Sequence, residues 1–316
     1  MTAAPVADPP RLDPRHYEPA RVPQQVRRYA GTPDTLAVGR PGKVGLLELA
    51  FERIGARTEL TGHYQRSPLQ IMRPLHFDPA RPDLAVTFLM STGGGILQAD
   101  RLRTDIRCGA DTAVHLTTQA ATKVYRMEHD YATQLFHLEA GPGAYVEYLP
   151  EPVIPFVDSR FYQRTVLTVD PGATVLAGET VLAGRLARGE RNAYRVFASD
   201  LEVRRPGGDL VALDTVRLEP AGGGVAGPAV LGGHDVMASL YVLSPLAPAA
   251  RIADVLHEAL AGRGLLYGVS VLPQDSGAWL RLLDSDTRAC AAALRAAWEA
   301  VRRLLIGVPA PELRKT

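Results

Sequence analysis

The chain has 316 residues, 46% apolar and 22% charged, an ordinary globular balance with room for one large domain or two ordinary ones. Thirty-five Lys and Arg face 34 Asp and Glu, for a formal charge of +1, which argues against a reader of phosphate backbones. Two cysteines, Cys108 and Cys290, exclude a disulfide framework and point to a reducing cytoplasm, and no signal-like segment or membrane span is read.

Gly (29) and Pro (25) are abundant, which predicts many turns between short strands. Residues 1–41 hold eight prolines and six arginines without apolar periodicity. They read as a flexible N-terminal arm. From there to residue 308 runs the main domain, followed by a tail at 309–316. Val44 to Phe51, Thr58 to Tyr64, Leu69 to Leu75 and Leu84 to Met90 read as strands. Leu102, Thr104, Ile106 and Cys108 alternate with Arg101, Arg103, Asp105 and Arg107, the period of a half-buried strand.

Three segments then resemble one another, each a Gly or Pro turn followed by a small residue and an alternating strand. They begin at Gly109, Gly141 and Pro171, and aligning Val114, Val146 and Val175 gives steps of 32 and 29 residues. Stacked coils of a β-solenoid fit this spacing, as do successive hairpins in an antiparallel array. Ala193 to Arg205 and Leu210 to Leu218 flank Pro206-Gly207-Gly208-Asp209 as a hairpin. Asp235 to Leu243 is a further strand. A helix is predicted over Ala249 to Ala261, a strand pair over Leu265 to Leu272 and Ala278 to Leu283, and a second helix over Asp286 to Ile306. Ser285 is the expected cap of that helix, and Gly307 its stop. The fold class is therefore mainly β, a solenoid-like stack with two C-terminal amphipathic helices.

The residues show no catalytic constellation. Gly93-Gly94-Gly95 lacks the Lys-Ser/Thr continuation of a phosphate loop and leads into a strand, so it reads as a tight turn. No Gly-x-Ser-x-Gly, His-Glu-x-x-His or zinc-finger spacing occurs. His115, His129 and His137, with Glu128, Asp130 and Glu139, form the nearest thing to a weak metal cluster; a solvated charged turn is the plainer reading. The polar run Thr117 to Arg126 suits either a satisfied bend or a binding role.

Four blocks are recognisable: Ser91 to Gly95 with Asp100-Arg101-Leu102, Leu116 to Arg126, Glu147 to Phe156 with Ser159-Arg160-Phe161 and Gln163-Arg164-Thr165, and Gly184 to Glu190. Together they resemble the urease accessory protein UreD (UreH) family over about residues 43–306. The matched positions include Gly93, Gly94, Gly95, Asp100, Thr118, Gln119, Lys123, Tyr125, Arg126, Arg160, Arg164, Gly184, Arg185, Gly189 and Glu190. Ala99 departs from the family's usual Gly, which leaves open whether that turn needs a positive φ. The tail lacks the family's common Trp.

The resemblance implies a β-helical, non-enzymatic scaffold. Such a scaffold would link urease apoprotein to UreF and to the GTPase UreG within a dimeric accessory assembly in the cytoplasm. No nucleic acid or membrane is expected as partner. No tightly bound cofactor is expected; Ni²⁺ would be transient cargo, with an internal passage as one route. Tight His or Cys coordination would trap such cargo. The carboxylates Glu147, Asp158 and Glu179, in or near the repeat-like strands, are therefore the passage candidates. Arg295 and Arg302 on the second helix are the partner-binding candidates. A carbohydrate-acting β-solenoid enzyme and a nickel-storage protein are the alternatives.

Overall fold

The computed structural model describes residues 9–31 and 42–313. Two short helices come first, α1 (Pro14–Tyr17) and α2 (Gln24–Arg27). The strands that follow are β1 (Val44–Ile54), β2 (Arg57–Arg66), β3 (Leu69–Ile71), β4 (Ala85–Ser91), β5 (Arg101–Cys108), β6 (Ala113–Thr118), β7 (Thr122–Val124), β8 (Ala132–Ala140) and β9 (Tyr145–Tyr148). Next are β10 (Val153–Pro155), β11 (Arg160–Val169), β12 (Thr174–Leu182), β13 (Val196–Arg204), β14 (Leu210–Leu218) and β15 (Val236–Leu243). The C-terminal part contributes α3 (Ala249–Leu260), β16 (Leu266–Val271), β17 (Gly277–Asp284) and α4 (Thr287–Ile306).

The chain winds between two sheets in about four solenoid turns. The first sheet has the order β14-β13-β11-β8-β5-β1-β2, and the second β16-β17-β15-β12-β9-β6-β4-β3. Pairings from β1 to β13 in the first sheet and from β4 to β12 in the second are parallel, while β1–β2, β13–β14, β3–β4 and the run β12–β15–β17–β16 are antiparallel. Val114 lies opposite Val146, and Val146 opposite Val175. The steps of 32 and 29 residues are thus the lengths of successive coils. Cys108, Ala140 and Val169 stack in the same way on the first sheet. β7 and β10 form a short parallel ladder that bridges to Ile96 and marks a third face.

Alternation decides what each face does. Leu102, Thr104, Ile106 and Cys108 point inward and are buried, while their neighbours point out. Leu47, Phe51, Ile106, Val114, Val146, Leu167 and Val175 fill the space between the sheets, each such side chain stabilising by about 1.5–3 kcal/mol. The opposite face of the second sheet is also apolar and carries α3 and α4, through Ile252, Leu256, Ala293, Ala297 and Val301. Asp286, not Ser285, caps α4, its carboxylate accepting from the backbone N–H groups of Arg288 and Ala289. Gly307 ends the helix at φ 72°.

The expectation of a free arm does not hold for residues 9–31. Val26 is fully buried against Tyr162, Val196 and Ala198. Arg11 grips Glu48 through two 2.7 Å contacts, and Arg103 donates to the carbonyl of His16. The outer face of the first sheet exposes apolar ground that needs a cover, and helices of four residues are too short to announce themselves by periodicity. Residues 1–8 and 32–41 of the arm, and 314–316 of the tail, lie outside the described residues.

Candidate functional site

The passage candidates sit in three different places. β12 sends Val175 and Ala177 into the core between the sheets, and period two sends Glu179 the same way. There it lines a narrow cleft of about 40 Å³ together with Thr118, Gln134, Tyr148, Gln163 and Thr165. The two sheets supply opposite walls, and the lining mixes hydroxyl, amide and carboxylate groups with the apolar Pro150, Val153, Ala177 and Leu201. Glu179 Oε1 accepts from Ser199 Oγ at 2.5 Å and from the Gln163 amide. Burial pushes the Glu179 carboxyl above its ordinary range; the Ser199 hydrogen bond opposes this and the charge of Asp214 adds to it. Asp214 is itself held by the Tyr241 hydroxyl and the Arg281 guanidinium.

Glu147 is fully buried, but on the other face of the second sheet, beneath α4. Its Oε2 meets His115 Nδ1 at 2.7 Å. Its Oε1 accepts from the Tyr145 hydroxyl at 2.6 Å and from Trp298 Nε1 at 2.9 Å. Burial alone would raise Glu147, yet the His115 contact and the nearby Arg302 charge hold it below its usual value. Asp158 lies at an outer corner with φ 58°. There it pairs with Arg195 at 2.8 Å and Arg126 at 3.6 Å.

The three histidines are not brought together. His115 is under α4, His137 meets Asp105 at 3.1 Å on the outer face of the first sheet, and His129 is exposed in a loop. Among the described residues no group of three or more His, Cys, Asp or Glu is arranged to hold a metal ion.

Arg302 cannot be a partner-binding residue in this fold. It is fully buried, donates to Asp78 Oδ2 at 2.9 Å and lies 3.5 Å from Glu147. Helical spacing from Trp298 put it on the inner stripe, next to the buried carboxylates. Arg295 is partly exposed, and it binds the chain's own tail through the carbonyls of Pro311 and Ala310 and the carboxylate of Glu312.

The matched motif positions lie mainly along the third face and its corners, where they fix backbone. A Cβ on Gly95 would fall 2.5 Å from the Tyr125 ring and 2.6 Å from the Lys123 carbonyl. Tyr125 in turn meets Phe156 edge-on at 5.0 Å, and the Arg185 guanidinium lies 4.2 Å from the Phe156 centroid. Arg185 also pairs with Glu190. Gly184 and Gly189 hold positive φ around that pair. Asp100 is buried and accepts from the backbone of Lys43 at 2.9 Å and Leu97 at 2.8 Å. Thr118 Oγ1 accepts from Glu151 N, and the Gln119 N–H donates to the Leu89 carbonyl. Arg160 reaches the Asp130 carbonyl, and Arg164 pairs with Glu202 at 2.7 Å. Gly93 and Gly94 form the exposed β4–β5 turn, and Lys123 and Arg126 point to solvent.

The sequence reading missed Gln163, Ser199 and Asp214 around the cleft, and Asp78 and Trp298 around Glu147. For Asp214 the signal was present: two residues before the buried Val216 and four before Leu218, it shares their inward face.

These features define a β-solenoid protein whose strands enclose a polar cleft and whose second sheet is covered by two helices. The chain belongs to the UreD urease accessory protein family, which matches residues 43–316. It is 62% identical over 288 residues to the urease accessory protein UreD 2 of Streptomyces griseus, covering 90% of this chain and 98% of that one. It is 37% identical over 279 residues to urease accessory protein UreD of Haloarcula marismortui, covering 88% and 93%. It is 34% identical over 292 residues to UreD 2 of Brucella suis, covering 92% and 97%. No described helix is long and apolar enough to cross a membrane.

Proposed function

We propose that this chain is a cytoplasmic, non-enzymatic scaffold that joins urease apoprotein to UreF and UreG and passes Ni²⁺ toward the urease site. The observation that carries the reading is the cleft between the sheets, with Glu179 among Thr118, Gln134, Gln163 and Thr165. Neutral oxygen donors replace water around a divalent ion only weakly. Imidazole and thiolate bind Ni²⁺ much more firmly. The Glu179 and Glu151 carboxylates among hydroxyls and amides draw the cation in without holding it. Ni²⁺ is cargo in this scheme, and Glu179 is the group that meets it.

Of the original passage candidates, only Glu179 has this role. Glu147 fastens α4, and Asp158 fastens an outer corner. The exposed side of α4 with the Arg295-bound tail is the proposed UreF-facing surface. Reconstitution tests the scaffold role: urease apoprotein, UreF, UreG, GTP and Ni²⁺ are combined with and without this chain, and urea hydrolysis is measured. The reading predicts activation only with the chain present. Equal activation without it overturns the reading.

A further inference from the structure

Val26 pins α2 to the outer face of the first sheet, against Tyr162, Val196 and Ala198. Beside that anchor a cleft of about 680 Å³ opens between the arm and the strands β11, β13 and β14. Arg21 and Arg27 line it from the arm, Arg164 and Arg217 from the sheet. Its carboxylates are Asp200 and Glu202, and both are already engaged. Asp200 accepts from the Tyr162 hydroxyl at 2.8 Å and pairs with Arg217 at 2.5 Å. Glu202 is shared between Arg164 and Arg204, each at 2.7 Å.

The other arginines of the arm are matched by nearby acids. Arg11 pairs with Glu48, Arg15 with Asp13 and Arg28 with Glu219. Arg21 and Arg27 have no ion-pair partner among the described residues, and both line this one cleft. A second cavity on the same face of the sheet is balanced: Arg11, Arg103 and Arg107 meet Glu48, Asp105 and Glu139 there. Under α2 four guanidinium groups meet two carboxylates, in a chain whose whole formal charge is +1. Walls of one sign focus the field and draw an anion, and the guanidinium fork matches a carboxylate.

We infer that the cleft beside α2 docks an acidic peptide segment of a partner protein, whose carboxylates meet Arg21 and Arg27. Apolar ground selects a peptide over a bare anion. Val22 and Pro23 line the cleft from the arm, and Leu213, 55% exposed, lines it from β14. An inorganic anion covers none of these, whereas a peptide brings apolar side chains along with its carboxylates. A nucleic acid fits poorly, because the excess charge is confined to this cleft. The inference is independent of the nickel reading, since it uses the outer face of the first sheet and not the space between the sheets.

The probe is a dye-labelled octapeptide alternating Glu and Leu, titrated with the full-length chain and followed by fluorescence anisotropy. Saturable binding that weakens as salt rises is expected, with no binding of the matching Lys and Leu peptide. Combining Arg21→Glu with Arg27→Glu should weaken binding about tenfold, with the circular dichroism spectrum unchanged. Arg251→Glu, on the exposed side of α3, should leave binding as it was. Absence of saturable binding overturns the inference, as does equal binding of the two peptides or indifference to the arm double variant. Displacement of the peptide by inorganic phosphate overturns it too, and assigns the cleft to a small anion.

Discussion

Trp298 donates its indole N–H to Glu147 at 2.9 Å, joining α4 to the centre of the second sheet across 151 residues of sequence. His115 stacks on the same indole with ring centroids 5.4 Å apart. Arg302, one helical turn further on, closes the network onto Asp78. The docking of α4 therefore rests on buried charge as well as on apolar contact.

Cutting that network should be costly. Glu147→Ala leaves Arg302 buried with one carboxylate fewer, and breaking a buried pair costs about 3–5 kcal/mol. A urea unfolding curve should show the midpoint falling accordingly. Arg302→Glu should be worse, placing three carboxyls in one buried pocket and preventing recovery of folded protein. Arg295→Glu should leave the unfolding midpoint nearly unchanged and loosen the tail, read as faster proteolysis after α4.

Acid should act on identifiable groups. Asp105 is held at about 2: burial would raise it, but His137 and Arg103 outweigh burial. Its folded value lies below its unfolded one, so its contribution is complete above the ordinary Asp range and fades as pH falls toward 2. Asp105→Asn should flatten that part of the acid limb in a stability-versus-pH series. Glu147 acts with the same sign, below the ordinary Glu range.

Glu179 has the opposite sign. Its folded value is raised, so its ionisation costs stability as pH climbs from the ordinary Glu range through the folded value. Glu179→Gln should therefore raise the neutral-pH melting temperature.

Ala99 answers the question its sequence posed. It occupies φ 60° and is buried, a conformation that costs an L-residue about 1–2 kcal/mol. Ala99→Gly should stabilise the chain by about 1 kcal/mol, less what the unfolded chain gains in entropy. Differential scanning calorimetry reads this directly. Gly95→Ala should destabilise by about 1–3 kcal/mol, the usual cost of overpacking. Trimming Tyr125 should rescue it only in part, because the Lys123 carbonyl stays in place.

Much of the fold was legible because a solenoid writes its coils into the sequence. Val114, Val146 and Val175 could be aligned by their preceding turns, and those turns stack in space. The helices showed through apolar stripes that end at glycines. The site was harder to read. Period two places a residue on a face but does not say which face turns to the core. Glu147 and Glu179 looked alike in sequence, yet sit on opposite faces of the second sheet. The second sheet is apolar on both sides, so alternation could not separate them. Arg302 is a related case: an arginine near the C-terminus of a helix suits the exposed end of its dipole, and its buried partner Asp78 lies 224 residues away. The arm at residues 9–31 docks through single anchors such as Val26, which leave no periodic trace.

The central claim is that the cleft beside Glu179 carries the metal. It is tested most directly by urease activation with Glu179→Gln, in the reconstituted mixture at fixed Ni²⁺, with co-purification of UreF checked in parallel. The account predicts a large loss of activation by a variant that is folded, more heat-stable than the parent and still bound to UreF. Full activation by that variant would contradict it.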